Sequence, residues 1–183
     1  MAAKCNNRLV VFPTRIGWVA LLGCGNVVRN LGLGGSPRAA VASLSPALLQ
    51  DAEERNWNRS LVRRLEAYAE GEVDGFGDVV IDPGPQTEFR RRVIEHCRQI
   101  PPGSRLTYGE LAARAGRPRS GRAVGNCMAS NRIPLIVPCH RVVGADGGLR
   151  GYSAHGGLRL KQSLLDLESR SVFRGMSVGV LQE

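Results

Sequence analysis

The 183-residue sequence predicts an α+β protein: a small N-terminal sheet-and-helix domain followed by a mostly helical second domain. Three observations carry this expectation. The first half holds short β-branched runs split by turn residues, and the second half holds short helical segments with their own capping residues. The charge also changes between the halves. Residues 1–85 contain nine Lys/Arg and nine Asp/Glu, whereas residues 86–183 contain sixteen and seven, so all of the formal +9 lies in the second half. A boundary is expected at the linker Asp82-Pro83-Gly84-Pro85, giving domains 1–85 and 86–183. A neutral scaffold joined to a basic unit suits contact with a polyanion.

In order, Arg8–Phe12, Trp18–Leu22 and Val27–Leu33 read as strands separated by the turns Pro13–Gly17 and Gly23–Asn26. Gly32–Pro46, rich in Gly, Ser, Pro and Ala, reads as a loop. Within Asp51–Glu70, Leu61, Leu65 and Tyr68 recur at helical spacing and Gly71 offers a stop. Val79–Ile81 reads as a further strand. Thr87 can cap a helix with the apolar face Phe89, Val93, Ile94, Cys97 and Ile100, ended by Pro101-Pro102-Gly103. Thr107 and Glu110 form a T-x-x-E capping box, and Ser120 can cap the following helix. These two short helices, joined by Gly116–Arg119, read as a helix-turn-helix unit. Gly121, Ala123, Gly125 and Ala129 give the second helix a small-residue face, suited to tight helix packing or to close approach by a bulky partner. Arg114, Arg117, Arg119 and Arg122 around the turn favour nucleic acid as that partner.

With 43% hydrophobic and 22% charged residues, a packed core is expected rather than a disordered chain. No stretch approaches the roughly 20 apolar residues of a membrane span, and Met1–Val10 lacks the order of a secretory signal, so a soluble intracellular protein without a membrane partner is expected. Lys4 and Lys161 are the only lysines. The arginine excess suits forked phosphate contacts, although codon bias explains the ratio equally well. Cys5, Cys24, Cys97, Cys127 and Cys139 are odd in number and irregularly spaced, which is not a disulfide framework. Most are expected to be small buried hydrophobes, with room for one nucleophile.

The apolar run Ile133–Val137 ends abruptly in Pro138-Cys139-His140-Arg141, and Val142-Val143 then lead into the Gly-rich turn Gly144–Gly148. A bend is needed here, because a flat strand would point Cys139 and His140 to opposite faces. A thiol beside an imidazole and a guanidinium can ionise more readily than a free one. The alternative is a buried structural cysteine beside a DNA-contacting arginine.

Together these segments resemble the O6-alkylguanine-DNA alkyltransferases, the methylated-DNA–protein-cysteine methyltransferase family. The resemblance runs from Thr87 to Glu168, through T-E-F at 87–89, I-P-P-G at 100–103, T-Y-G-E-L-A at 107–112 and R-A-V-G at 122–125. It continues with Asn131, I-V-P-C-H-R-V-V at 136–143, G-Y-S at 151–153 and L-L-x-L-E at 164–168. It implies a winged form of the helix-turn-helix and a single-turnover enzyme without cofactor or metal, in which Cys139 accepts the alkyl group. His140 draws the thiol proton through a water, Glu168 orients His140, and Asn131 braces the turn. Tyr108, Pro134, Val142, Tyr152 and Ser153 are implied to bind the flipped base and its alkyl group. Arg122 is implied to fill the vacated stack, with Gly121, Ala123, Gly125, Arg119 and Arg141 on the DNA. The implied partner is double-stranded DNA containing O6-alkylguanine, bound by a monomer, in the cytoplasm (nucleoid-associated) of a bacterium or the nucleus of a eukaryote.

Three departures from the family pattern stand out: Ile94 in place of a tryptophan, Arg132 in place of a proline, and Ala154-His155 in the loop after Ser153. Some members hold zinc in the first half, but residues 1–85 contain no histidine, so no metal is expected. The competing reading is an alkyltransferase-like or regulatory protein that binds alkylated DNA without transfer. Cys139 argues against it, because alkyltransferase-like proteins lack the acceptor.

Overall fold

The computed structural model describes residues 6–178, with side chains through Ser171. Cys5 and the chain beyond 178 lie outside the described residues. Three strands, β1 (Arg8–Thr14), β2 (Gly17–Cys24) and β3 (Val27–Gly34), form an antiparallel meander. A two-residue β4 (Glu53–Glu54) adds parallel to β1, giving the order β3-β2-β1-β4. Strand alternation sorts the side chains to two faces. Leu9, Ala20 and Leu22 pack with Ala40 and Leu44 on one face. Phe12, Val19, Leu21, Leu31 and Leu33 face the main core.

The expected Gly32–Pro46 loop is instead structured. β3 runs through Gly34, α1 (Pro37–Ala42) follows with Ser36 as its N-cap, and α2 (Pro46–Leu49) comes next. The glycines that looked like loop residues are there for close packing. A Cβ on Gly34 would lie 2.2 Å from the Ala40 backbone nitrogen, and one on Gly32 would lie 2.2 Å from the Ala40 carbonyl oxygen. The next helix is shorter than expected. α3 spans Arg59–Glu70, started by Asn58, which accepts from the Leu61 amide, and ended by Gly71 at φ 103°. Val79–Ile81 forms no full strand. Val80 O accepts from the Val28 amide at 2.9 Å and the Asp82 amide donates to Val28 O at 2.8 Å, a single parallel bridge at the sheet edge.

In the second half, α4 (Glu88–Arg98) is capped by Thr87, and α5 (Tyr108–Arg114) has the full Thr107–Glu110 capping box. Ser120 stands before α6 (Gly121–Ala129), but its side chain makes no capping bond. The pairing of β5 (Leu106–Thr107) with β6 (Val142–Val143) is parallel. It sets Tyr108 beside the turn that carries Cys139. α7 (Gly157–Val178) closes the structure.

One core runs across the expected boundary and joins Phe12, Leu31, Leu61, Tyr68 and Phe76 to Val93, Leu111, Val137 and Leu164. Polar ties reinforce it. The Leu31 amide and Asn30 Nδ2 both donate to Arg132 O, at 2.8 and 2.5 Å, and Arg98 Nη2 donates to Phe76 O and Val79 O. Cys97, Cys127 and Cys139 are buried free thiols, as small buried hydrophobes would be.

Gly34→Ala would force the Ala40 backbone away from the sheet. Urea unfolding should show a loss of about 1–3 kcal/mol, the range for overpacking a tight interior. Gly25→Ala has open space but φ +56° and should cost less, through backbone conformation alone.

Candidate active site

The Ile133–Val137 run is not a strand. It folds as a turn, with the Val137 amide bonded to Ile133 O at 2.9 Å and Leu135 at φ 70°. After Pro138, Cys139–Arg141 form one turn of 3₁₀ helix. Three residues per turn send successive side chains about 120° apart. This lets Cys139 line an open cleft while His140 and Arg141 point inward.

Asn131 organises this turn. It follows the C-terminus of α6, its amide bonded to Met128 O. Its Oδ1 accepts from the Ile133 amide at 3.0 Å, and its Nδ2 donates to Val137 O at 2.8 Å and to Cys139 Sγ at 3.1 Å. Burial pushes the Cys139 thiol pKa up, and the Asn131 bond and the Lys161 charge offset this only in part. The resting thiol is therefore protonated at neutral pH. This corrects the expectation that a thiol beside His140 and Arg141 ionises more readily than a free one.

His140 and Glu168 are buried together, with Nε2 at 2.9 Å from Oε1. Burial holds the His140 pKa below its ordinary value, and Glu168 opposes this without overturning it. The reason lies in Arg141, which is fully buried: its Nε and Nη2 donate to Glu168 at 2.8–3.1 Å and its Nη1 donates to Ile100 O at 2.6 Å. The guanidinium already balances the carboxylate, so an imidazolium would be an extra buried charge. Arg141 is thus corrected from a DNA-contacting residue to an internal counter-ion. Burial by itself would raise the Glu168 pKa, but the bonds from His140 and Arg141 outweigh it and hold the carboxyl well below the usual range. With Nε2–H directed at Glu168, His140 Nδ1 is the ring's free lone pair, and it is buried without a hydrogen-bond partner.

Two clefts meet at Ala129, Tyr152 and Ser153. One, of about 400 Å³, is lined by Cys139, Asn131, Pro134 and Ala154 together with Asn30, Leu33 and Ser45 of the first half. The other, of about 640 Å³, is lined by Tyr108, Gly121, Arg122, Gly125, Ala129 and Arg150. Arg122 is exposed on α6, and a Cβ on Gly125 would meet open space. Ala123 is half-buried on the same helix, and Arg119 is exposed at the turn with φ 72°, outside the two cleft linings. Val142 is buried, and its carbonyl accepts from Lys161 Nζ at 2.6 Å.

Sequence reasoning missed Lys161, Tyr68 and Gly103. Lys161 is buried, its Nζ 5.8 Å from the centroid of the Tyr108 ring. Burial lowers its pKa, against the pull of Cys139 and Cys97. A signal was available: Lys161, Leu164, Leu165 and Glu168 share one helical face. Tyr68 read as a core aromatic on the face of Leu61 and Leu65, yet its hydroxyl donates to Glu168 Oε1 at 2.7 Å. The Gly103 amide donates to Oε2 at 3.2 Å, a contact that no side-chain pattern could announce.

Arg141→Met should leave the Glu168 charge without its counter-ion, costing about 3–5 kcal/mol in urea unfolding at neutral pH. In the wild type, the low pKa of both His140 and Glu168 in the fold makes the unfolded chain bind more protons. Stability should therefore fall as pH drops below about 6.5, where an unfolded histidine charges, and fall further below about 4.3, where unfolded carboxylates protonate. Urea midpoints across pH 2.5–8 check both.

Residues 88–170 match the family described as 6-O-methylguanine DNA methyltransferase, DNA binding domain. The methylated-DNA–protein-cysteine methyltransferase of Methanosarcina acetivorans is 46% identical over 116 residues, covering 63% of this chain and 72% of that protein. The Mycobacterium leprae protein of the same name is 37% identical over 163 residues, covering 89% and 93%. The crystal structure of Mycobacterium tuberculosis O6-methylguanine methyltransferase superposes with TM-score 0.74 at 34% identity, covering 90% and 94%. The structure of the same organism's enzyme in complex with DNA matches equally well. With this similarity spanning the Asn131, Cys139, His140 and Glu168 site, the chain belongs to the methylated-DNA–protein-cysteine methyltransferase family.

Proposed function

We propose that this chain repairs DNA by moving the alkyl group from O6 of guanine, in double-stranded DNA, irreversibly onto Cys139. The observation that carries this reading is the thiol of Cys139, held by Asn131 in a cleft beside α6, with the buried His140–Glu168 pair behind it. The alkyl group is inaccessible inside a stacked duplex, so the nucleotide must rotate out. The small face of α6, with Gly121, Ala123 and Gly125, approaches the minor groove, and Arg122 fills the vacated place in the stack. Arg119 and the other turn arginines hold phosphates, which makes binding salt-sensitive and weakly sequence-specific.

Tyr108 at the start of α5 meets the rotated nucleotide and donates to the base as it leaves. The Val142 carbonyl, with one lone pair already used by Lys161, accepts from the guanine edge. Tyr152 and Ser153 wall the base pocket, Ser153 donating to O6, and Pro134 packs the alkyl group.

His140 Nδ1 takes the thiol proton through a bridging water, while Glu168 holds the ring with Nε2–H directed away from the thiol. The sulfur then attacks the alkyl carbon in line. A C–S bond forms, the C–O bond breaks, and guanine leaves with the electron pair. The thioether product is not hydrolysed, so each molecule acts once, and no cofactor or metal enters the chemistry. The protein acts as a monomer in the compartment that holds the DNA: cytoplasm in a bacterium, nucleus in a eukaryote.

Intact-mass measurement after incubation with an O6-methylguanine duplex should show a gain of one methyl group, mapped to Cys139. Tight binding without the adduct would sink the reading in favour of a non-transferring sensor. Cys139→Ala should keep binding to alkylated duplex and lose transfer entirely. Arg122→Ala should weaken binding to the alkylated duplex more than binding to unmodified DNA, by about tenfold if it fills the stack at ~1.4 kcal/mol; equal losses would assign it to phosphate alone.

A further inference from the structure

We propose that Tyr68 is a positioning residue for alkyl transfer, through which the N-terminal half sets the proton affinity of the His140–Glu168 pair; this rests on the transfer reading above. Tyr68 sits on α3, 100 residues before Glu168, and its hydroxyl donates to Oε1 at 2.7 Å. The same oxygen meets His140 Nε2 at 2.9 Å and Arg141 Nη2 at 2.8 Å, and the Tyr68 oxygen lies 3.5 Å from His140 Nε2. The phenol thus competes with the imidazole for one acceptor. A donor that draws charge from Oε1 leaves less negative potential to hold a proton on His140, so it keeps the imidazole neutral and able to accept the thiol proton.

The rest of the surroundings fits a fixed donor. The Tyr68 ring stands edge-on to Phe76 at 5.5 Å between centroids, which limits its movement. Burial and the neighbouring carboxylate push the phenol pKa up, so the hydroxyl keeps its proton across the working range. The other titratable groups facing the pair are Arg141 beside His140, Lys161 on α7, and Cys139 and Tyr152. Arg141 and Lys161 favour the neutral imidazole. Tyr68 is the contribution from the other half of the chain. A residue needed only for packing could be phenylalanine, since a buried hydroxyl is costly unless it is bonded.

The test is Tyr68→Phe, which keeps the ring and removes the donor. The chain has three histidines, so NMR titration can follow His140 separately from His96 and His155. The His140 midpoint should rise by about half a pH unit or more. The acid limb of single-turnover methyl transfer should rise with it, while the high-pH plateau stays within about twofold, since the reacting thiol and its base remain. Site-specific 3,5-difluorotyrosine at position 68, a stronger donor of the same shape, should move both midpoints the other way, and it serves if Tyr68→Phe does not fold. Leu65→Ala, which loosens α3 without touching the carboxylate, should lower stability and leave both midpoints in place. An unmoved His140 midpoint in the Tyr68 variants would overturn the proposal, as would an equal shift in Leu65→Ala. A moved midpoint without a moved rate limb would also overturn it. Wild-type methyl transfer, followed in parallel by mass, tests the transfer reading separately: its absence would sink that reading and leave the NMR result standing.

Discussion

The buried carboxylate of Glu168 is the constraint around which the rest is arranged. Placing a charge in an apolar interior is prohibitive unless it is paired and hydrogen-bonded. Here it is surrounded by Arg141 and His140 from the active-site turn, Tyr68 from α3 and the Gly103 amide after α4. Each donor comes from an element that must be in its native place for the carboxylate to be satisfied. The carboxylate thereby locks the Cys139 turn, α3, α7 and the loop after α4 into one geometry. Arg141 extends the lock to the end of α4 through Ile100 O.

Asn131 has the matching role on the exposed side of the turn. One side chain joins the end of α6 to the Ile133 amide, the Val137 carbonyl and the Cys139 sulfur. The next residue, Arg132, lends its carbonyl to the sheet through Leu31 and Asn30. The thiol is therefore positioned from behind by a charge cluster and from the side by a backbone brace, and both reach into the N-terminal half. That half does more than support the second. It supplies Tyr68 to the carboxylate and Asn30, Leu33 and Ser45 to the cleft that Cys139 lines.

Several helix boundaries in both halves were legible because capping is local chemistry. Thr87, the Thr107–Glu110 box and Gly71 act within four residues of themselves. The Gly32–Pro46 stretch misled because glycine has two uses. It permits unusual turns, and it also lets a helix backbone lie against a strand, and only the position of α1 separates the two at Gly34. Arg141 misled for a related reason. An arginine in a basic domain suits a phosphate, but a 3₁₀ turn points this one into the core, where Glu168 waits 27 residues further on. Cys139 keeps its proton although His140 and Arg141 adjoin it, because burial outweighs adjacency in sequence.

By itself, the sequence determined the α+β plan and the family, and it pointed to Cys139, His140 and Glu168 as the proposed acceptor and its partners, since these are written in residue types at short, ordered spacings. Tertiary structure alone decided which way Arg141 faces, that the resting thiol stays protonated, and that Tyr68 and Lys161 join the site. Those outcomes depend on burial and on contacts across tens to a hundred residues, where desolvation outweighs any preference that a residue carries on its own.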